Sequence, residues 1–297
     1  MRARTHFRGG LASIVVCLAA LPAFAQSGDE AAPEPSPLAR QHEAAVRARY
    51  GHAGWARGEL RAGLASSLEL PGFVRGALQS DRGLLTRTFR RPDAKQPSFV
   101  LETLVAGSVD AAHEMLLTWL AGLQSDRLVP RAAEVGLDVG DVGFVGHSGA
   151  GPKAVAWVAF ARGNVAVRVS AFDPRREPDL DLGAIARRVD EAIVAEPPLP
   201  AGASVRAPEI PVLVAERSAA VAGDRLRLDL SLVDPGRGEP HVQWVVGGPG
   251  QGYVERSDDG VYRLFTTGPG RITLAVEVTG STGTFARRSI ELEVADD

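Results

Sequence analysis

Two segments in the first two thirds of the chain have apolar residues at three- and four-residue spacings, which is typical of amphipathic helices. The first covers residues 109–124 and follows Ser108, a residue type that often caps a helix. The second covers residues 181–195, with Asp179 or Asp181 as its cap. Because each helix has one apolar side, each is expected to lie on a sheet. The apolar positions are Ala112, Met115, Leu116, Trp119, Leu120 and Leu123 in the first helix, and Leu182, Ile185, Ala186, Val189 and Ile193 in the second.

Four segments around these helices favour strands. Residues 98–106 alternate between apolar and polar positions, as a half-buried strand does. Residues 141–148, 154–162 and 165–172 contain many valine and aromatic residues, which favour strands. Gly163–Asn164 is a two-residue turn of the kind that closes a hairpin. The last three segments therefore predict an antiparallel meander.

Together these elements predict an α+β domain over residues 38–197, in which a small antiparallel sheet has its helices on one face. The beginning of this domain, residues 38–61, is rich in Ala and Arg and has a weak apolar stripe that indicates a further helix. Residues 198–207 are rich in proline and predict a linker between domains.

Beyond the linker, residues 208–297 have only short alternating segments, separated by Gly, Pro and Asp. This pattern predicts six or seven strands in an antiparallel β-sandwich. The clearest segments are VLVAE, RLRLDLSLV, HVQWVV, GVYRLFTT, RITLAVEV and RRSIELEV.

Four stretches of this region carry a resemblance to the PKD-like and Ig-like domains of bacterial exported proteins: AGDRLRLDLSLVDP, the strand with Trp244, DDGVYRLFTTGPGRITLAVEV and GTFARRSIELEV. The resemblance implies an Ig-like sandwich that acts as a spacer or adhesion module. The WxFGDG-type turn of PKD domains is absent, and WVVGGPG stands in its place. In the first domain, GDVGF, AFARGNVAVRV and IARRVDEAI resemble uncharacterised bacterial exported domains and lipoproteins, a likeness that implies a fold and no chemistry.

The first 25 residues have the pattern of a secretory signal peptide, with an Arg-rich start, an apolar run and AFA at residues 23–25. Residues 26–37 are acidic and rich in proline, which predicts a disordered tether. We therefore expect a periplasmic or extracellular protein with no membrane insertion after signal cleavage. Cys17, the single cysteine, would be removed with the signal. The 33 basic and 36 acidic residues are well mixed, so we expect no nucleic-acid partner.

Ser148 is the one candidate nucleophile in a recognisable motif. GHSGAG approaches the G-x-S-x-G turn of α/β hydrolases, in which a strand leads directly into a helix. The alternative is the loop of a β-hairpin, which the strand-like residues 154–162 favour. A triad also needs a histidine, and His241, in the second domain, is the one that follows Ser148 in the chain.

Other candidate sites have simpler structural explanations. Asp258 and Asp259 could contribute to a calcium site, but SDDG is also a good turn sequence. His113–Glu114 lacks the second histidine of a zinc motif and predicts a half-exposed helical pair. The segment from Tyr50 to Trp55 is where we would look for an aromatic binding patch. The remaining tryptophans, Trp119, Trp157 and Trp244, have the spacings of core residues.

The hypothesis that follows is an exported, non-catalytic binding or scaffolding protein of the bacterial envelope, with no cofactor and no metal. Its partner would be a protein or a glycan, bound in a cleft or on an apolar patch near the domain junction. The alternative is a serine hydrolase of α/β type that uses Ser148.

Overall fold

The structure is a computed structural model that describes residues 37–51, 54–64, 68–122, 129–147, 155–235 and 239–296. It is a mixed α+β fold, as the sequence predicts. The helices are α1 (Pro37–Tyr50), α2 (Val109–Gly122) and α3 (Leu182–Ala195), and the strands are β1 (Val74–Asp81), β2 (Leu84–Arg90), β3 (Phe99–Val105), β4 (Val142–His147), β5 (Val155–Arg162), β6 (Val165–Ala171), β7 (Glu209–Ala215), β8 (Ala219–Val221), β9 (Arg225–Val233), β10 (His241–Gly247), β11 (Gln251–Arg256), β12 (Tyr262–Gly268), β13 (Gly270–Thr279) and β14 (Phe285–Ala295).

Both predicted helices begin with the expected side-chain caps. The hydroxyl of Ser108 accepts a hydrogen bond from the backbone N–H of Ala111 at 3.2 Å, at the start of α2. Asp181 accepts one from the backbone N–H of Ala184 at 2.8 Å, at the start of α3. Of the two candidate caps for α3, the structure therefore uses Asp181, which satisfies one of the free N–H groups of the first turn.

The first sheet has six strands in the order β1-β2-β3-β6-β5-β4, and every neighbouring pair is antiparallel. The predicted strand at residues 98–106 and the predicted meander are confirmed as β3 and β4–β6. The β1–β2 hairpin was not predicted. Most of β1 is exposed, so it has no alternating apolar pattern for a sequence reading to detect.

Helices cover both faces of this sheet, so the prediction of helices on one face is wrong. In β5, Val158 and Phe160 belong to one buried cluster with Val189 of α3. Ala159 belongs to a second buried cluster with Leu116 of α2, and α1 contributes to the same cluster. Because alternate residues of a strand point to opposite faces, α3 lies on one face and α1 and α2 lie on the other. Both sets of positions are apolar over residues 155–161 of β5, so each set needs a cover.

The two ends of the first sheet have different surroundings. One end of the sheet contains the last residue of β4, the first residue of β5 and the paired residues Phe99 and Ala171. We call this end of the sheet the cleft end. The opposite end carries the turn between β1 and β2 and the turn at Gly163–Asn164. The later strands pack against this opposite end, which we call the junction end. α3 runs from the cleft end to the junction end.

The remaining eight strands form two four-stranded sheets, in the orders β10-β13-β14-β8 and β11-β12-β9-β7. Residues of both sheets share buried clusters, for example Leu226 and Leu264 of one sheet with Leu274 and Leu292 of the other. Two strands were not predicted. β8 has three residues, and β11 begins inside GGPGQG, whose glycines and proline predict a turn.

The junction is made largely of hydrogen bonds to backbone groups. The side chain of Gln243 in β10 accepts from the N–H of Ser80 and donates to its carbonyl oxygen, both at 3.1 Å. The N–H of Leu64 donates to the carbonyl oxygen of Thr282 at 3.0 Å. The chain passes so close there that a Cβ on Gly63 would lie 1.9 Å from the same oxygen. This position therefore requires glycine.

Two titratable side chains, one buried and one half-buried, lie in or beside the junction. Glu277 of β13 is 3% exposed, and burial raises its pKa in spite of the opposing charge of Arg287, whose Nη1 lies 3.6 Å from the carboxylate. The nearby carboxylate of Asp81 acts in the same direction as burial. Burial lowers the pKa of His241 in β10, and the positive charge of Arg87 lowers it further.

A network of ion pairs joins the start of β4, the β5–β6 turn and α3 at the junction end of the first sheet. Arg162 contacts Asp190 at 2.6 Å and Asp141 at 3.0 Å. Asp190 also accepts from the N–H of Gly140, and Asp141 accepts from the N–H of Gly163. The hydrogen bond to Asp190 is the main reason that the pKa of Arg162 is raised. Loss of Arg162 would leave two carboxylates, of which Asp190 is buried, without an opposing charge, at a cost of about 3 kcal/mol.

The variant Glu277→Gln is expected to gain stability relative to the parent protein as the pH rises from about 4.5 to about 7. The raised folded-state pKa means that folded protein holds this proton more tightly than the unfolded chain. The free energy of unfolding of the parent therefore falls as the pH rises through the folded-state pKa of Glu277. Because glutamine does not titrate, the free energy of unfolding of the variant does not show this decrease. Urea titrations at several pH values measure the difference.

The matched control is Glu255→Gln, which changes an exposed glutamate of β11. Its stability difference from the parent should stay constant over the same pH range. A Glu277→Gln difference that is equally constant would contradict the assigned role of burial.

Candidate functional site

The chain reverses direction on the two sides of Ser148. β4 and β5 are antiparallel neighbours, with His147 paired to Val155. Ser148 and the rest of residues 148–154 lie outside the described residues. The hairpin interpretation of the flanking segments is confirmed. A nucleophile elbow needs a helix directly after the serine, whereas residues 155–162 form a strand, because their apolar residues alternate between two covered faces.

The histidine required by the hydrolase alternative lies elsewhere in the fold. His241 belongs to β10 and is close enough to Arg87 for the guanidinium to lower its pKa. His113 is buried in α2, with its ring 5.1 Å from that of Trp55. β4 ends and β5 begins at the cleft end of the first sheet, whereas His241 lies beside the junction.

A cleft of about 560 Å³ opens at the cleft end of the first sheet, on the face covered by α3. Its floor is apolar and continuous with the core: Leu70 and Ile185 are buried, and Phe73 packs edge-on against Phe99 at 4.9 Å. Leu180 and Ala184 complete the floor. The floor is therefore built from the segment before β1, the loop before α3 and the first turns of α3.

Ion pairs order the rim of the cleft. Arg91, after β2, contacts Glu177 and Asp179 at 3.0 Å each, so it ties the β2–β3 loop to the loop before α3. These hydrogen bonds raise the pKa of Arg91, which stays charged. Arg91 and Asp179 are exposed to solvent, so the pairs position the loops more than they stabilise the fold. Smaller hollows of about 300 and 240 Å³ lie on other sides of the same loop.

The position of the cleft corrects one expectation. The binding hypothesis expected a cleft or apolar patch near the domain junction, but this cleft lies at the opposite end of the first sheet. The junction itself is filled by Gln243, Ser80 and the close approach of Gly63 to Thr282. Residue patterns could predict α3 but not the cleft, because its floor depends on residues 70–73, which have no clear periodicity.

The two described aromatic residues of the segment from Tyr50 to Trp55 do not form an exposed patch. Trp55 is 6% exposed and packs against Phe144, which also meets Tyr50 edge-on at 5.4 Å. The guanidinium of Arg131 covers Phe144 at 4.5 Å from the ring centre. These rings form part of the core under α2. The prediction of core residues is confirmed for Trp119, which is 4% exposed, whereas Trp157 and Trp244 are half-buried and pack against the buried clusters.

Two further candidates have structural roles. His113 is 1% exposed, so the expectation of a half-exposed pair with Glu114 is wrong for the histidine, while Glu114 forms an ion pair with Arg47 at 2.7 Å. The predicted turn at SDDG is present: Asp259 accepts from the N–H of Val261 at 3.1 Å and pairs with Arg263 at 2.9 Å. No group of three potential metal ligands occurs within the described ranges.

Comparison with known proteins does not assign the chain to a family. No protein-family model matches it. No curated protein matches it at a significant level. Across the residues that the structure describes, no helix is long and apolar enough to cross a membrane.

Proposed function

We propose that this is an exported, non-catalytic binding or scaffolding protein of the bacterial envelope, and that the cleft beside α3 is its binding site. The observation that carries the proposal is the combination of an apolar floor with a rim held open by ion pairs. A preformed hollow of about 560 Å³ lies in the size range of binding pockets. The signal-like start of the sequence supports export to the periplasm or the extracellular space.

The chemistry of the cleft favours an apolar segment of a partner protein as the ligand. The floor offers Leu70, Phe73 and Ile185, which suit aliphatic or aromatic side chains. The guanidinium of Arg91 is already held by two carboxylates of the protein, so it offers little attraction to an anionic ligand. Binding would come mainly from burial of apolar surface, at about 25 cal/mol per Å².

The eight later strands support an Ig-like or PKD-like module that acts as a spacer or adhesion unit. Its two four-stranded sheets share buried clusters, and Trp244 of β10 packs between them against Tyr262 at 5.2 Å. The hydrogen bonds of Gln243 and Leu64 hold this module against the first sheet. The cleft would then be presented at a constant distance from the far end of the module.

A ligand cleft at this position predicts that added bulk on its floor abolishes binding. Peptides selected on the purified protein from a random phage library should be rich in apolar residues. Ala184→Phe, which fills the cleft from α3, should weaken their binding by about tenfold or more. Fluorescence polarisation of labelled peptides measures the affinities.

The matched control is Val194→Phe, which places the same ring on the exposed side at the other end of α3, where Val194 is 48% exposed. This variant should bind as the parent does. Equal affinity in a folded Ala184→Phe variant, or failure to select any peptide, would contradict the proposal.

A fluorophosphonate probe, which labels activated serines, should leave the purified protein unlabelled. An activated serine needs a base held beside it, and the antiparallel pairing of β4 with β5 favours a hairpin connection over a strand-to-helix elbow. Labelling that is lost in Ser148→Ala would overturn the non-catalytic proposal in favour of the α/β serine hydrolase.

A further inference from the structure

The outer face of the third sheet, β11-β12-β9-β7, carries three side chains in one cross-strand row. Tyr253 of β11 is paired with Phe265 of β12, and Phe265 is paired with Arg225 of β9. The two rings are stacked, with centres 5.1 Å apart and planes 3° apart. The guanidinium carbon of Arg225 lies 5.0 Å from the centre of the Phe265 ring. We call these three residues the aromatic row.

The aromatic row is open to solvent at both ends. β11 is an edge strand, so Phe265 covers one face of Tyr253 and the other face is free, which leaves the residue 47% exposed. At the other end, Arg225 is exposed and takes part in no ion pair among the described residues. By contrast, Arg227 on the same strand and face is paired with Asp229 at 2.9 Å.

The row faces away from the rest of the protein. The inner face of its sheet packs on the second sheet through residues such as Leu226 and Leu264. The contacts at the junction come from Gln243 and Glu277 of the second sheet and from Thr282, in the loop between its strands β13 and β14. A long ligand could therefore cross the aromatic row without meeting the junction or the cleft.

We propose that the aromatic row binds an acidic polysaccharide, one whose sugar rings carry carboxylates. The apolar face of a pyranose ring packs well against an exposed aromatic ring, and Tyr253 offers one with a hydroxyl at its tip. Arg225 supplies the matching cation, with N–H groups that can form paired hydrogen bonds to a carboxylate. A ring and a cation separated by one strand suit a polymer that repeats both features.

The paired rings favour a glycan over an acidic peptide. A peptide carboxylate would need only the guanidinium, and it could use any exposed arginine. Phe265 serves two purposes in the row: it stacks on Tyr253 and it lies under Arg225. This contact holds the guanidinium beside the rings by a cation–π interaction.

The test is binding of the full-length protein to polygalacturonate, measured by affinity electrophoresis and by calorimetry. We expect binding that weakens as salt is added, since the contact includes an ion pair. Fully methyl-esterified polygalacturonate has the same rings without the charge, and it should bind at least about tenfold more weakly. Polyglutamate, which has the charge without the rings, should also bind at least about tenfold more weakly.

Three variants separate the parts of the row. Tyr253→Ala and Arg225→Gln should each weaken polygalacturonate binding by about tenfold, whereas Tyr253→Phe should keep it. Arg227→Gln is the matched control on the same strand and should have little effect. All three changed positions are at the surface, and thermal unfolding verifies that each of the four variants is folded.

Three results would overturn the proposal. The first is no binding of polygalacturonate at millimolar sugar concentration. The second is equal binding of polyglutamate, which would indicate an anionic protein segment as the ligand. The third is a Tyr253→Ala or Arg225→Gln variant that is folded and binds as the parent does. Loss of peptide binding in Ala184→Phe leaves this test unaffected, because the two sites share no residue.

Discussion

The structure depends on the burial of strands β5 and β6 on both faces. Val158 and Phe160 point to α3, while Ala159 and Ala161 point to α2, and all four are fully buried. Full burial of a side chain such as Phe160 contributes about 2 kcal/mol, and the gain requires a cover on each side of the sheet. This requirement places residues 155–162 in a central strand and reverses the chain on the two sides of Ser148.

The polar groups of the first sheet hold the covering elements at fixed positions. Arg61 donates hydrogen bonds to three carbonyl oxygens at the end of α3, those of Ile193, Val194 and Glu196. Asn164, in the β5–β6 turn, is fully buried; its amide donates to the carbonyl oxygen of Ala106 at 2.8 Å. With the Arg162 network, these bonds gather polar contacts at the junction end. The cleft end is left with a mainly apolar hollow.

The sequence predicts the elements whose residues alternate or repeat, and it fails where burial is set by distant parts of the chain. The helices α2 and α3 and the strands β3–β6 follow from local periodicity. Helices on both faces could have been inferred from AVAWVAF, where neither set of alternate positions is polar. Local patterns do not predict the exposed strand β1, the three-residue strand β8 or the floor of the cleft. They do not predict the aromatic row either, because Tyr253 and Arg225 come together only through the pairing of β11, β12 and β9.

Hydrogen exchange of backbone amides tests the central claim most directly, since it reports how much structure must open before each amide meets water. If both faces of β5 and β6 are covered, the amides of residues 158–161 and 166–169 should exchange only through global unfolding, with free energies equal to that of the whole domain. The exposed edge strand β1 should exchange through smaller openings. Exchange of β5 and β6 as fast as that of β1 would contradict the account.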